Sequence, residues 1–342
     1  MAADAPDLRR AARANWLAIG ATAAIVVAGG WLTETHVDWR SFALPALLAT
    51  ASLVIARFYD SRRREAGIAA IFGTTAQLVC FTAVGAPLSY LAARAGYPLW
   101  DATLAAWDQQ IGFDWPAALK TISAHPQLET VLGLAYGSLL PQMIFTTLAL
   151  GFTGRIARLQ TFLSAFIACT LTTIVMSAFL PATGPWLFLG LDPSAAHGFL
   201  PTSSTSWPVF LGLRDGSLHT LHALGSEGII TFPSLHAALA VIFALALWQV
   251  PILRWIVLGL NITMLLATPL YGSHYLVDVL AGIAIAVVCW SLTAWAMSKG
   301  PTTVGTSPLP SISDAPALIP DPAPDSLASP DVDPIRRKVG TA

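Results

Sequence analysis

Three residues near the ends of apolar runs have the types and spacing that a nucleophilic or proton-transferring histidine needs. His236 follows Pro233, Ser234 and Leu235, and 38 residues later His274 opens the run His274-Tyr275-Leu276-Val277-Asp278. His274 and Asp278 are four residues apart. On a helix that spacing puts them on one face, where the carboxylate holds the imidazole in a single orientation and raises its nucleophilicity. A second imidazole, His236, is available at the start of another apolar run. Pro233-Ser234 also reads as a helix start, because proline suits the first turn and the free amides there attract an anion. Ser234 therefore either binds phosphate or caps its helix.

These residues need a scaffold, and composition names its class. Of 342 residues, 55% are hydrophobic and 11% charged, with a mean hydropathy of +0.65. A soluble domain of this length carries about twice that charge. The chain reads as an all-α integral membrane protein. No basic stripe with interleaved aromatics is present, so nucleic acid is not an expected partner. Cys80, Cys169 and Cys289 each fall inside an apolar run with no close spacing, so neither a metal site nor a disulfide framework is expected and no cofactor is called for.

Charge, proline and polar loops mark off eight apolar segments near the length of a bilayer crossing: Asn15 to Thr33, Phe42 to Ala56, Ala66 to Ala93, Leu128 to Phe152, Thr161 to Leu180, Ser234 to Val250, Leu253 to Leu270 and Tyr275 to Met297. The first reads as a retained span, not a cleaved signal. Eight crossings put fourteen of the 18 lysines and arginines on one side and only Arg40, Arg94, Lys120 and Arg214 on the other. By the positive-inside rule both termini are cytoplasmic, a pattern compatible with a bacterial inner membrane. The segments Pro181 to Trp186, Pro233 to His236 and Tyr271 to His274 then share the non-cytoplasmic side, where they can build one site.

The organisation that follows is two N-terminal helices over residues 1–65, a six-helix core over 66–299, and a proline-rich, disordered cytoplasmic tail over 300–342. Tyr97 to Gln127 mixes tryptophans with acids, including Asp101 and Asp108, and reads as an amphipathic segment lying on the bilayer. The loop from Pro181 to Phe232 is long enough to be a binding loop or lid. Within the fourth run, Tyr136, Ser138 and Gln142 either line a headgroup cavity or bond between helices.

Phe232-Pro233-Ser234-Leu235-His236-Ala237 and Tyr271-Gly272-Ser273-His274-Tyr275-Leu276-Val277-Asp278 resemble the second and third motifs of the type 2 phosphatidic acid phosphatase superfamily, over roughly Ala66 to Met297. Their wording is most similar to the branch containing inositol phosphorylceramide synthases. The resemblance implies that His274 attacks phosphorus to form a phosphohistidine, Asp278 orients it, and His236 protonates the leaving oxygen. It implies a phospholipid or lipid-linked phosphate as substrate, with water as acceptor in a phosphatase or an alcohol in a phosphotransferase.

The family pattern is incomplete here. Thr268 stands where the superfamily carries an arginine six residues before its nucleophile, and the first-motif counterpart, Pro181-Ala182-Thr183-Gly184-Pro185-Trp186, has no basic residue. Thr183, Trp186, Tyr271 and Ser234 are the expected substrate-binding residues. Arg214 is the leading substitute cation, with Lys120, His219 and His222 behind it. Loss of the cationic site also leaves open a non-catalytic lipid-binding or transport protein.

Overall fold

A computed structural model describes residues 5–191, 203–223 and 228–298. The tail expected over 300–342 lies outside the described residues. The fold is an all-α membrane bundle, in which two two-residue strands make the sheet structure of the described residues.

In chain order the helices are α1 (Ala5–Leu32), α2 (Ala43–Phe58), α3 (Ala66–Arg94), α4 (Asp101–Gln110), α5 (Trp115–Ser123), α6 (Pro126–Gly137), α7 (Leu139–Phe152), α8 (Ile156–Phe179), α9 (Pro185–Phe188), α10 (Ser203–Asp215), α11 (Leu235–Leu247), α12 (Leu253–Tyr271) and α13 (Leu276–Ser298). Among the described residues, six helical stretches are long and apolar enough to cross a membrane, so the protein is an integral membrane protein. They contain α1, α2, α3, α8, α12 and α13.

Two of the eight expected crossings take a different form. The run Leu128 to Phe152 is not one helix: it breaks at Ser138 into α6 and α7, which meet at 52°. Gly137 and Ser138 at the joint, with Pro141 in the first turn of α7, explain the break, because proline has no amide to continue the ladder from α6. The other is α11, only 13 residues long. At 1.5 Å per residue it covers about 20 Å, against a hydrocarbon thickness near 30 Å.

The short helix α11 sits in the centre of the bundle. Ala237, Ala238, Ala240 and Ala246 are fully buried on it, and small side chains let α8, α12 and α13 approach closely. The closest approach is at Gly282 of α13, where an added Cβ would run into the Ser234 carbonyl oxygen. Polar side chains tie the bent pair to its neighbour: Asn261 of α12 donates to Gln142 Oε1 at 2.8 Å, and Gln142 donates to Ser138 Oγ at 2.9 Å. Gln142 and Ser138 thus bond to each other and to α12, and a buried amide left without such partners costs free energy.

On one side of the bundle, β1 (His36–Val37) pairs in parallel with β2 (Thr220–Leu221). The pairing joins the loop after α1 to the loop before α11. The charge count expects both loops on the side with few basic residues.

Candidate active site

The two motif segments meet at one end of the bundle. Pro233 and Ser234 open α11 as expected, and Ser234 Oγ accepts from the Ala237 amide at 3.3 Å. The Ser234 amide in turn donates to the Asp278 carbonyl at 3.1 Å, so the starts of α11 and α13 are bonded directly. His236, in the first turn of α11, is half-buried.

The His274 segment is a tight turn between α12 and α13. Helix α12 ends at Tyr271, and Ser273 takes the left-handed conformation at φ +52°. For a non-glycine residue that costs about 1–3 kcal/mol and is characteristic of functional sites. The turn is held locally by the His274 amide on the Pro269 carbonyl at 2.8 Å. Asp278 Oδ2 accepts from His274 Nδ1 at 3.3 Å and from the Tyr275 amide at 2.9 Å. Both partners are buried, with Asp278 0% and His274 4% exposed. Burial, with His236 nearby, pushes the His274 imidazole down to about 3, against a weaker opposing hydrogen bond to the Thr231 backbone. His274 is therefore neutral at ordinary pH, the form in which a ring nitrogen is nucleophilic.

His236 and His274 both line the end of a cavity of about 780 Å³. Its wall includes a stripe on α3 at Thr75, Leu78, Thr82, Gly85 and Ser89, which runs about 21 Å along the helix. Leu140, Met143 and Ile144 of α7 and Phe166 and Ile174 of α8 supply further apolar wall. Tyr136 lies where the histidines are: its ring stacks on His236 with centroids 4.2 Å apart and planes at 10°. Among the described residues, no lysine, arginine, aspartate or glutamate lines this cavity.

A family model described as PAP2 superfamily matches residues 102–292, more than half of the 342. The chain belongs to the PAP2 superfamily. The match spans all three residues of the proposed chemistry and assigns this PAP2 protein to a group of phosphatases and phosphotransferases. No curated protein and no solved structure matches the chain.

The expected substrate-binding residues fall elsewhere in this PAP2 protein. None of Ser234, Arg214, Thr183, Trp186 and Tyr271 lines the cavity. Ser234 is fully buried and its hydroxyl is spent on the cap. Arg214, on α10, donates to the Tyr97 carbonyl at 2.7 Å and lies over the Phe210 ring, so the leading candidate cation braces the outer loops. Tyr271 donates to the Glu129 carbonyl of α6 at 2.5 Å. Trp186 is 1% exposed and packs edge-on to Trp115, while its amide donates to Ser273 Oγ. Of the reserve cations, Lys120 and His219 are exposed, and His222 pairs with Asp38 at 3.2 Å.

Thr183 leads to two residues of the segment Tyr97 to Gln127, which the sequence predicts as amphipathic and lying on the bilayer. Asp101 and Asp108, on α4, are 3% and 4% exposed. Asp101 accepts from the Thr183 amide and hydroxyl, the Gly184 amide and the Tyr275 hydroxyl. Asp108 accepts from the Leu276 and Val277 amides at 2.8 and 3.0 Å. The available signal is spacing: Asp101, Leu104 and Asp108 share the buried face of α4, so the two acids lie on the stripe of an apolar leucine and not opposite it.

Proposed function

We propose that this PAP2 protein transfers a phosphoryl group of a lipid substrate through a phosphohistidine on His274. The His274 ring nitrogen that does not face Asp278 attacks phosphorus, and the bond from phosphorus to the leaving oxygen breaks as the nitrogen–phosphorus bond forms. His236 gives its proton to that oxygen. In the second half-reaction His236 takes a proton from water or an alcohol, whose oxygen attacks phosphorus and frees His274. Asp278 orients the nucleophile throughout. The observation that carries this reading is the position of both histidines at the end of a long apolar cavity, with Asp278 bonded behind one of them. A lipid phosphate has the matching shape, with reactive phosphorus at one end of a hydrocarbon chain. The positive-inside count supports a reading with this end on the non-cytoplasmic face and the termini in the cytoplasm.

A headgroup phosphotransferase is favoured over a phosphomonoesterase by the charge of the cavity. A phosphomonoester carries about −1.5 to −2 near neutral pH, and burying charge without a counter-ion is costly. A phosphodiester carries a single charge. Among the described residues no lysine or arginine lines the cavity, and segments 192–202 and 224–227 contain none in their sequence. The fitting substrate is thus a phospholipid diester, and the acceptor a lipid alcohol, as in the inositol phosphorylceramide synthases that the motifs resemble.

The test uses purified protein in vesicles of a phospholipid labelled at phosphorus, with and without an alcohol acceptor. Headgroup exchange that needs the acceptor and releases no inorganic phosphate supports the transferase. Phosphate release without acceptor supports the hydrolase, and turnover untouched by His274→Ala overturns both in favour of a lipid-binding or transport protein.

A further inference from the structure

Asp101 and Asp108 take no part in the chemistry assigned above, yet they are buried carboxylates, and among the described residues neither has an ion-pair partner. A buried charge persists where hydrogen bonds replace water around it. Here every bond described leads to one of two segments. Asp101 bonds the Thr183–Gly184 loop on one hand and Tyr275, the neighbour of His274, on the other. Asp108 takes the first amides of α13, which otherwise have no partner within their helix, and the positive end of that helix favours an anion there. Seven residues separate the two acids, so one face of one helix grips both segments.

What they grip is a turn under strain. Ser273, with its left-handed backbone, accepts from the Trp186 amide at 3.2 Å, and Gly184 comes so close that an added Cβ would strike the Ser273 carbonyl. His274 thus depends on contacts with segments 87 to 174 residues distant in sequence. Burial pushes the Asp108 carboxyl up while the Leu276 and Val277 amides pull it down, so those amides are what favours its ionised form.

We propose that Asp101 and Asp108 are positioning residues for phosphoryl transfer: through them α4 locks the Thr183–Gly184 loop and the first turn of α13 together, holding His274 at the end of the cavity. The proposal rests on the reading of His274 as the nucleophile. A nucleophile displaced by 1 Å loses on the order of a hundredfold in rate, so a clamp of this kind governs catalysis without touching substrate.

Orthovanadate tests it, because its five-coordinate adduct with a nucleophile has the geometry of the transferring phosphoryl group. Affinity for orthovanadate and the Tm are measured on the purified full chain and on Asp101→Ala, Asp108→Ala, Asp108→Asn, Tyr275→Phe and His274→Ala. The expected result is tight binding by the parent chain, lost in His274→Ala and weakened at least about tenfold in Asp101→Ala and Asp108→Ala. Asp108→Asn keeps one acceptor oxygen and Tyr275→Phe removes one donor of several, so both fold and both fall between. A lowered Tm with unchanged affinity in all four Asp101, Asp108 and Tyr275 variants overturns the positioning role alone. No binding by the parent chain, or undiminished binding by His274→Ala, overturns the functional reading and the clamp with it.

Discussion

Tyr136 and His236 lie face to face, their rings 4.2 Å apart and 10° from parallel, with the tyrosine hydroxyl 3.4 Å from His236 Nδ1. The stack fixes the imidazole plane and the hydroxyl engages one ring nitrogen, which leaves Nε2 for the substrate. Tyr136 comes from the last turn of α6, just before the bend at Ser138, so the break in that helix delivers a proton-donor partner to the site.

Tyr136→Phe keeps the stack and removes the hydroxyl. One hydrogen bond is worth about 1 kcal/mol, so kcat should fall about fivefold with little change in KM. Tyr136→Ala removes the stack as well and should cost more. Equal kcat in the parent and Tyr136→Phe would show that the hydroxyl does not orient His236.

His236 as general acid makes a prediction about leaving groups. His236→Ala should slow turnover of a lipid substrate by about a hundred- to ten-thousandfold. A substrate with an aryl leaving group of low pKa needs no protonation, so with it the deficit should shrink to about tenfold or less. A deficit of the same size for both substrates assigns His236 to binding instead.

The meeting of His236, His274 and Asp278 was legible because its signals are local: helix starts, an i,i+4 pair, and charge in apolar sequence. The clamp was not, since it joins residues as far apart as Asp101 and Tyr275, whose meeting depends on how α4 packs. Arg214 misled for the same reason. Scarcity of cations singled it out, but its position on α10 directs it to the Tyr97 carbonyl. The bend at Ser138 was signalled by Pro141, which hydropathy alone passes over.

Gly184 tests the contact between the first-motif loop and the nucleophile turn. Its φ is +92°, and an added Cβ would collide with the Ser273 carbonyl. Gly216 has φ +79° with nothing within 4 Å of an added Cβ. Gly216→Ala therefore carries backbone strain alone, about 1 kcal/mol, whereas Gly184→Ala adds the clash and should cost about 2 kcal/mol more. Thermal unfolding of the two variants measures the difference, and kcat should fall in Gly184→Ala only. Matching losses in the two would show that the loop yields without moving the turn.

Acid stability reports on His274. Its folded value lies near 3, below the ordinary 6.5, so between those values the unfolded chain binds the extra proton and folding weakens as pH drops. The contribution is complete above pH 6.5 and declines as pH falls toward 3. From pH 6.5 to 5.0 this amounts to about 2 kcal/mol, or roughly 3 °C in Tm for a protein of this size. His274→Gln has no titrating ring, so its Tm should fall less over that interval, and the gap between parent and variant should narrow by that amount on acidification. Parallel curves would mean that His274 is already protonated in the folded protein, held by Asp278 as an ion pair, and that it must lose its proton before it can attack phosphorus.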